Sequence, residues 1–351
     1  MSGPVLVTGG AGFIGSNLAD RLAGEGHDVV IYDALARAGV ERNLAWLRAR
    51  HGSRIRFVHA DIRDAARLAD EVASAAAVFH FAAQVAVTTS LDDPADDFTT
   101  NITATFQLLE AIRTRAAHVP LIFASTNKVY GDLADLDFVL EDEAYRPVDP
   151  QVRAHGIGEA RPLDFHTPYG VSKGAADQYV LEYARSFGLK TCVFRMSCIY
   201  GQRQMGTEDQ GWVAHFLIRA LNGEPITLYG DGHQVRDVLD VRDAVNAYLA
   251  AWRRIDDVAG RAFNLGGGPD NAVSLRQLLA HIATLTGRPV DVHYSGWRAG
   301  DQRYFVADAR AAAATLALPA RRDWREGVGA LADWLQREHA AAETPAIEVA
   351  A

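Results

Sequence analysis

Val5-Leu6-Val7-Thr8-Gly9-Gly10-Ala11-Gly12-Phe13-Ile14-Gly15 sets a short apolar run before a G-x-x-G-x-x-G turn, and a helical pattern continues to about Ala23. Glycines in such a turn let backbone N–H groups approach a pyrophosphate, and the N-terminus of the following helix favours negative charge. Plain turns imitate a lone glycine motif, so the context decides. A second apolar run, Asp28 to Tyr32, follows the helix and ends at Asp33. A carboxylate there accepts hydrogen bonds from an adenosine ribose and repels a 2′-phosphate, which favours NAD over NADP. Arg37, four residues on, could greet such a phosphate, but Asp33 is the stronger signal.

Working outward, Ile55 to His59, Val78 to Phe81, Leu121 to Ala124 and Thr191 to Arg195 repeat the apolar run, with helical sequence between them. Buried apolar strands separated by helices indicate an α/β fold, a Rossmann-type doubly wound parallel sheet. The pattern changes after about Gly201. Residues 1–200 and 236–269 are expected to form the NAD-binding domain. Residues 201–235 and 270–340 are expected to form a smaller discontinuous α/β substrate domain, and the alanine-rich 341–351 a flexible tail. Gly131 to Pro168 is long, polar and poor in helical period, which reads as a lid or substrate wall.

The chain has 351 residues, 49% hydrophobic and 23% charged, with a formal net charge of -9. An acidic surface argues against nucleic acid or an anionic membrane as partner, though local arginines can still hold an anionic small ligand. Cys192 and Cys198 are too few for a disulfide framework or a zinc site. The N-terminus runs straight into an apolar strand without a basic leader, and no run approaches the length of a membrane span. A cytoplasmic location is expected. The histidines show no metal-binding spacing, so no metal is expected. His80 reads as a packed structural residue, and His166 as a candidate sugar contact.

Tyr169-Gly170-Val171-Ser172-Lys173 is a Y-x-x-x-K element. On a helix, positions i and i+4 share a face, which brings an ammonium towards a phenol. That cation, with oxidised nicotinamide, would lower the tyrosine pKa and make it a base towards a hydroxyl proton. Random placement of the eleven tyrosines and three lysines yields this spacing only about 0.1 times.

The glycine motif, Asp33, Asp61-Ile62, His80-Phe81-Ala82-Ala83-Gln84, Asn101, Ser125-Thr126 and Tyr169/Lys173 together resemble the extended short-chain dehydrogenase/reductase family. The resemblance runs on through Arg236-Asp237 and Arg298-Ala299-Gly300-Asp301. It implies that Gly9, Gly12, Phe13, Ile14, Gly15, Asp33, Arg37, Asp61, Ile62, Phe81, Ala82, Ala83, Gln84, Asn101 and Ser125 surround NAD, with Tyr169 and Lys173. It makes Thr126, Tyr169 and Lys173 the catalytic set. The hydroxyl of Thr126 would bond the reacting sugar oxygen. Thr126, Asn127, Gln210, Trp212, Arg236, Arg298, Asp301 and Arg303 would hold a nucleotide-diphosphate sugar, the arginines suiting its phosphates.

Several chemistries share this scaffold. A resembling 4,6-dehydratase carries Asp-Glu where this chain has Asn127-Lys128. Asparagine exchanges no proton at neutral pH, so elimination is disfavoured. The strings Ser125-Thr126-Asn127-Lys128-Val129-Tyr130-Gly131-Asp132 and Asp164 to Tyr179 are similar to epimerases that invert C2 of a CDP-linked hexose through a transient keto-sugar. Inversion at C4 of a UDP-sugar is the alternative, and Cys198, where many relatives have asparagine, keeps it open. A dehydrogenase that releases NADH and an NAD-sensing binding protein are the remaining readings. In resembling enzymes, helices equivalent to those from about Phe98 to Arg115 and from Tyr169 to Phe187 form a dimer interface. A homodimer or homotetramer is therefore expected.

Overall fold

A computed structural model describes residues 3–343. Seven apolar runs become one all-parallel sheet. Across it the strands run Arg261–Leu265, Thr191–Met196, Leu121–Thr126, Ala77–His80, Val5–Thr8, Val29–Asp33 and Ile55–His59. From Val5–Thr8 the chain winds outward to one edge, then crosses back to Ala77–His80 and winds towards the other. Ligands of open α/β sheets bind in the crevice beyond the strand ends at such a reversal. Gly9 and Phe81 flank it, each following directly on its strand.

Helices cover both faces, which is why the central strands are largely apolar rather than alternating, while the edge strands expose Arg56, His59 and Arg261. Leu18, Leu22, Phe79, Phe194, Tyr248 and Phe263 pack on one side. Leu6, Val78, Leu108, Ile112, Phe123 and Val180 pack on the other. A separate core of Val213, Phe216, Leu278, Ile282, Trp324 and Leu331 gathers the later segments.

The strand Val235–Asp240 departs from the sequence expectation, because it does not join the seven-stranded sheet. It pairs in parallel with Cys198–Tyr200 and Tyr304–Phe305, and antiparallel with Ala272–Ser274. Its buried Arg236 and Asp237 are thereby set beside the end of the strand Thr191–Met196 and the 298–303 loop. The helix Val241–Arg253 and the strand Arg261–Leu265 then return to the large sheet.

Gly131 to Pro168 is not a featureless loop. It contains an antiparallel hairpin, Phe138–Glu141 with Ala144–Pro147, and a short helix, Pro150–His155. Leu133 and Ile157 are buried with Val129, Phe305 and Ala307, so the segment is a packed wall. The hairpin turn uses Asp142 and Glu143 at φ 48° and 61°. Tight hairpin turns need positive φ and usually announce themselves by Asn-Gly or Asp-Gly; here that signal is missing.

Among the described residues no helix is long and apolar enough to cross a membrane. The final helix, Trp324–Glu343, extends into the start of the expected tail, and 344–351 lie outside the described residues.

Candidate active site

The cofactor cradle is built from backbone approach. Gly9 has φ +66°, and a Cβ there would lie 2.7 Å from the Ala82 nitrogen; one on Gly15 would lie 2.4 Å from the Gly9 carbonyl oxygen. Neither position admits a side chain. The helix Phe13–Gly24 begins at Gly12 with no side-chain cap. Its first-turn N–H groups are therefore available to an anion. Phe13 and Ile14 are half-buried in that turn. Asp33 accepts from the Ala11 nitrogen at 2.9 Å and the Leu35 nitrogen at 2.8 Å, one per oxygen. Each carboxylate oxygen keeps a second acceptor site. Burial pushes the Asp33 carboxyl up, opposed by these backbone donors. A bare helix start with a carboxylate at the end of the second strand fits a dinucleotide.

Around this cradle the expected residues divide. Arg37 is exposed. Asp61 pairs with Arg63 at 2.6 Å, which holds its carboxyl low, and Ile62 is buried in the core beside Tyr32. Phe81 packs on Tyr248 at 4.8 Å between ring centroids. Ala82 donates its N–H to Thr8. Asn101 sits in a π-helical turn, Thr99–Thr103, a distortion frequent at functional sites. Its oxygen accepts from the Gln84 nitrogen at 3.0 Å. Its amide nitrogen, with two hydrogens to give, lies 3.0 Å from the Gln84 carbonyl, 3.1 Å from Asp97 and 3.0 Å from Ser172. Asn101 thus ties the loop of Phe81, Ala82, Ala83 and Gln84 to the helix bearing Tyr169. His80 is enclosed between Thr8 and Thr105, and burial takes its pKa down to about 3, so it is a neutral structural group.

The helix Thr167–Phe187 carries Tyr169 and Lys173 on one face, as the spacing demands, with 8% and 5% exposure. Its start is fastened from outside: Ser90 accepts the Tyr169 N–H at 3.2 Å. Burial pushes the Tyr169 phenol up to about 12; the Thr126 hydroxyl opposes this by a hydrogen bond, and Asp97 adds to it. Burial likewise pulls Lys173 down to about 8, opposed by Asp177 and Asp97. Among the protein's own groups the Thr126 hydroxyl is what lowers the phenol, burial outweighs it, and the downward pull expected of Lys173 from the spacing does not act here. The ammonium lies 4.3 Å from the Phe123 ring centroid.

Beneath this pair runs a buried network. Ser125, expected at the cofactor, donates to Asp177 at 2.7 Å. Asp177 receives Arg195 through two nitrogens at 3.0 Å each, and Arg195 reaches Tyr130, which donates to Asn264 at 2.7 Å. Ser90, Asp97, Ser172, Asp177 and Arg195 were not singled out from the sequence. The i, i+4 spacing of Asp97 to Asn101 and of Lys173 to Asp177 was a signal that could have found two of them.

The expected substrate residues converge in part. Asn127 donates to Gln302 at 3.2 Å, and Thr126 to Asn127 at 3.3 Å. Arg236 is buried and bonds Asp301 at 2.6 Å. These join the end of the strand Leu121–Thr126 to the 298–303 loop. Trp212 donates to Cys198 at 3.3 Å, and Gln210 exchanges backbone hydrogen bonds with Thr207. Arg298 lies 3.8 Å over the Tyr229 ring and bonds Glu208. Arg303 is exposed and its guanidinium lies 5.7 Å from the Tyr145 ring centroid. His166 faces Asp164 at 3.1 Å and Asp132 at 3.6 Å.

A dinucleotide cradle at a sheet reversal, with a buried tyrosine and lysine beside a threonine, defines an NAD-dependent enzyme. The chain belongs to the NAD dependent epimerase/dehydratase family, whose model matches residues 5–266. It is 42% identical over 340 residues to CDP-paratose 2-epimerase of Salmonella typhi, covering 94% of this chain and 98% of that protein. Among solved structures it resembles UDP-glucose 4-epimerase of Thermotoga maritima with UDP-glucose, at TM-score 0.81 and 30% identity, covering 96% of this chain and 99% of that one. It also resembles UDP-glucuronic acid 4-epimerase of Bacillus cereus in complex with UDP-glucuronic acid and NAD, at TM-score 0.82 and 26% identity over 95% and 99%.

Proposed function

We propose that this NAD-dependent nucleotide-sugar epimerase inverts C2 of a CDP-linked hexose of the CDP-paratose/CDP-tyvelose type. The observation that carries the choice is the 42% identity to a CDP-paratose 2-epimerase across nearly the whole of both chains. Tyr169 takes the C2 hydroxyl proton and later returns it, and Thr126 bonds the same oxygen and aligns it. Lys173 supplies positive charge beside the phenol. NAD, held by the glycine turn and Asp33, would supply the hydride acceptor and donor for C2, and its positive nicotinamide would offset the burial that raises Tyr169. Arg236 and Arg298 hold the diphosphate and Asp301 the nucleotide ribose, while Asn127, Gln210 and Trp212 line the sugar or base. Screening CDP-, UDP-, GDP- and dTDP-hexoses by NMR tests the reading. C2 inversion of a CDP-hexose supports it, and C4 inversion of a UDP-sugar would replace it.

The enzyme is inferred to be a homo-oligomer. Phe98, Phe106, Val171, Tyr179 and Phe187 are exposed on two neighbouring helices, and Phe106 meets Tyr179 at 6.0 Å. A contiguous exposed apolar patch of this kind marks an interface. Light scattering at micromolar concentration is expected to report a dimer or tetramer, and a monomer would refute it. Two free cysteines, Cys192 and Cys198, suit a reducing compartment, which supports a cytoplasmic location.

A further inference from the structure

Lys128 stands two residues after Thr126, at the position where a resembling dehydratase carries glutamate. Its backbone N–H donates to the Thr126 hydroxyl at 3.2 Å, so its side chain leaves from the turn at the reacting end of the site. The ammonium reaches the other side. It donates to the Gly300 carbonyl at 2.9 Å and lies 4.0 Å from the Asp301 carboxylate. That carboxylate oxygen is already bonded to Arg236 at 2.6 Å and to the Gln302 nitrogen at 3.0 Å.

An ammonium has three donors. One is used on Gly300, and Asp301 stands beyond hydrogen-bond distance. The side chain keeps 21% exposure, so it is enclosed but reachable. Lys128 thus bridges the Thr126 turn and the Arg236–Asp301 pair, the two ends assigned to the ligand. Arg236, Asp301, Cys198 and Asp132 are the charged and titratable groups around it.

We propose that Lys128 is a substrate-binding residue whose ammonium donates to a hydroxyl of the nucleotide-linked sugar and so fixes which ring carbon faces Thr126 and Tyr169. This rests on the reading of the site as one for a nucleotide sugar. Rotating a hexose by one ring position presents a different carbon to the same base, so one directed donor can decide the position of inversion. A compact cation with rotatable donors suits a ring hydroxyl, whereas the planar fork of arginine suits phosphate. Burial takes the Lys128 ammonium down to about 8, so this contact weakens as pH rises past that value.

The test measures binding calorimetrically in the NAD-loaded Tyr169→Phe enzyme, which does not consume its ligand. CDP-glucose and CDP are compared at pH 7 and pH 9. Lys128→Met is expected to weaken CDP-glucose roughly 10- to 100-fold while leaving CDP within about threefold. Affinity for CDP-glucose should fall more steeply from pH 7 to pH 9 with Lys128 present than in Lys128→Met, where Lys173 alone still titrates in that range. With Tyr169 restored, Lys128→Met should lose positional fidelity, yielding C4- as well as C2-inverted product. Unchanged CDP-glucose affinity in Lys128→Met, or equal losses for CDP and CDP-glucose, would overturn the proposal. Lys128→Gln gives the same comparison should methionine disturb folding. If the unaltered enzyme turns over UDP-sugars at C4 instead, the substrate reading falls, and UDP-glucose against UDP still decides the role of Lys128.

Discussion

Asp177→Asn removes one charge from an ion pair sealed inside the protein. Asp177 is 0% exposed and the Arg195 side chain 6%. The carboxylate takes two hydrogen bonds from Arg195 at 3.0 Å each, one from Ser125 at 2.7 Å and one from Gln178 at 2.9 Å. Asparagine keeps the shape, so no cavity opens, but it leaves the guanidinium buried without a counter-charge. Removing one partner of such a pair costs about 3–5 kcal/mol. The assay is urea unfolding of the NAD-loaded enzyme, comparing Asp177→Asn with the double variant Asp177→Leu/Arg195→Met. The double variant replaces both charges by apolar groups and should cost less than the single one. The same carboxylate raises the Lys173 ammonium, so Asp177→Asn should also lower the pH above which turnover falls. A loss below about 1 kcal/mol for the single variant, or a larger loss for the double, would refute this account of the network.

Tyr169→Phe should leave folding and NAD content intact and reduce turnover about 10²- to 10⁴-fold, and Thr126→Ala should cost less; near-normal turnover of Tyr169→Phe would require another base. NAD, not NADP, should be the nucleotide that mass spectrometry finds after denaturation, and Gly15→Ala, whose Cβ would meet the Gly9 carbonyl oxygen at 2.4 Å, should lose it. His80 stays neutral when folded but takes up a proton when unfolded below the ordinary histidine value of 6.5. Stability should therefore fall with pH from 6.5 towards about 3, by up to about 1.4 kcal/mol per pH unit from this residue, a dependence that His80→Gln should flatten in urea titrations at pH 7 and 5.

The parts of the fold that could be read from the sequence are those with local signatures. The G-x-x-G-x-x-G turn, Asp33 and the apolar strands each declare themselves within a few residues, and helical spacing alone puts Tyr169 and Lys173 on one face. The hidden parts depend on distant partners. Val235–Asp240 carries Arg236, Asp237 and Asp240 among its six residues, and only tertiary pairing sends it to the smaller sheet. Ser90 and Ser172 look like ordinary helix serines until Tyr169 and Asn101 are brought against them. The turn at Asp142 and Glu143 lacks glycine, so nothing local announces its hairpin. The resemblance puts Arg303 at phosphate, and its guanidinium lies over Tyr145, a neighbour that no local pattern foretells.

The central claim is inversion at C2 by return of the same hydride. A CDP-hexose carrying deuterium at C2 is turned over in ordinary water without added cofactor, and the product is examined by NMR. Tyr169 and Thr126 acting on the C2 oxygen predict a C2-inverted sugar that retains its deuterium at that carbon. Loss of the label to solvent would indicate deprotonation beside a carbonyl and contradict transient oxidation, and inversion at C4 with C2 untouched would contradict the assigned position.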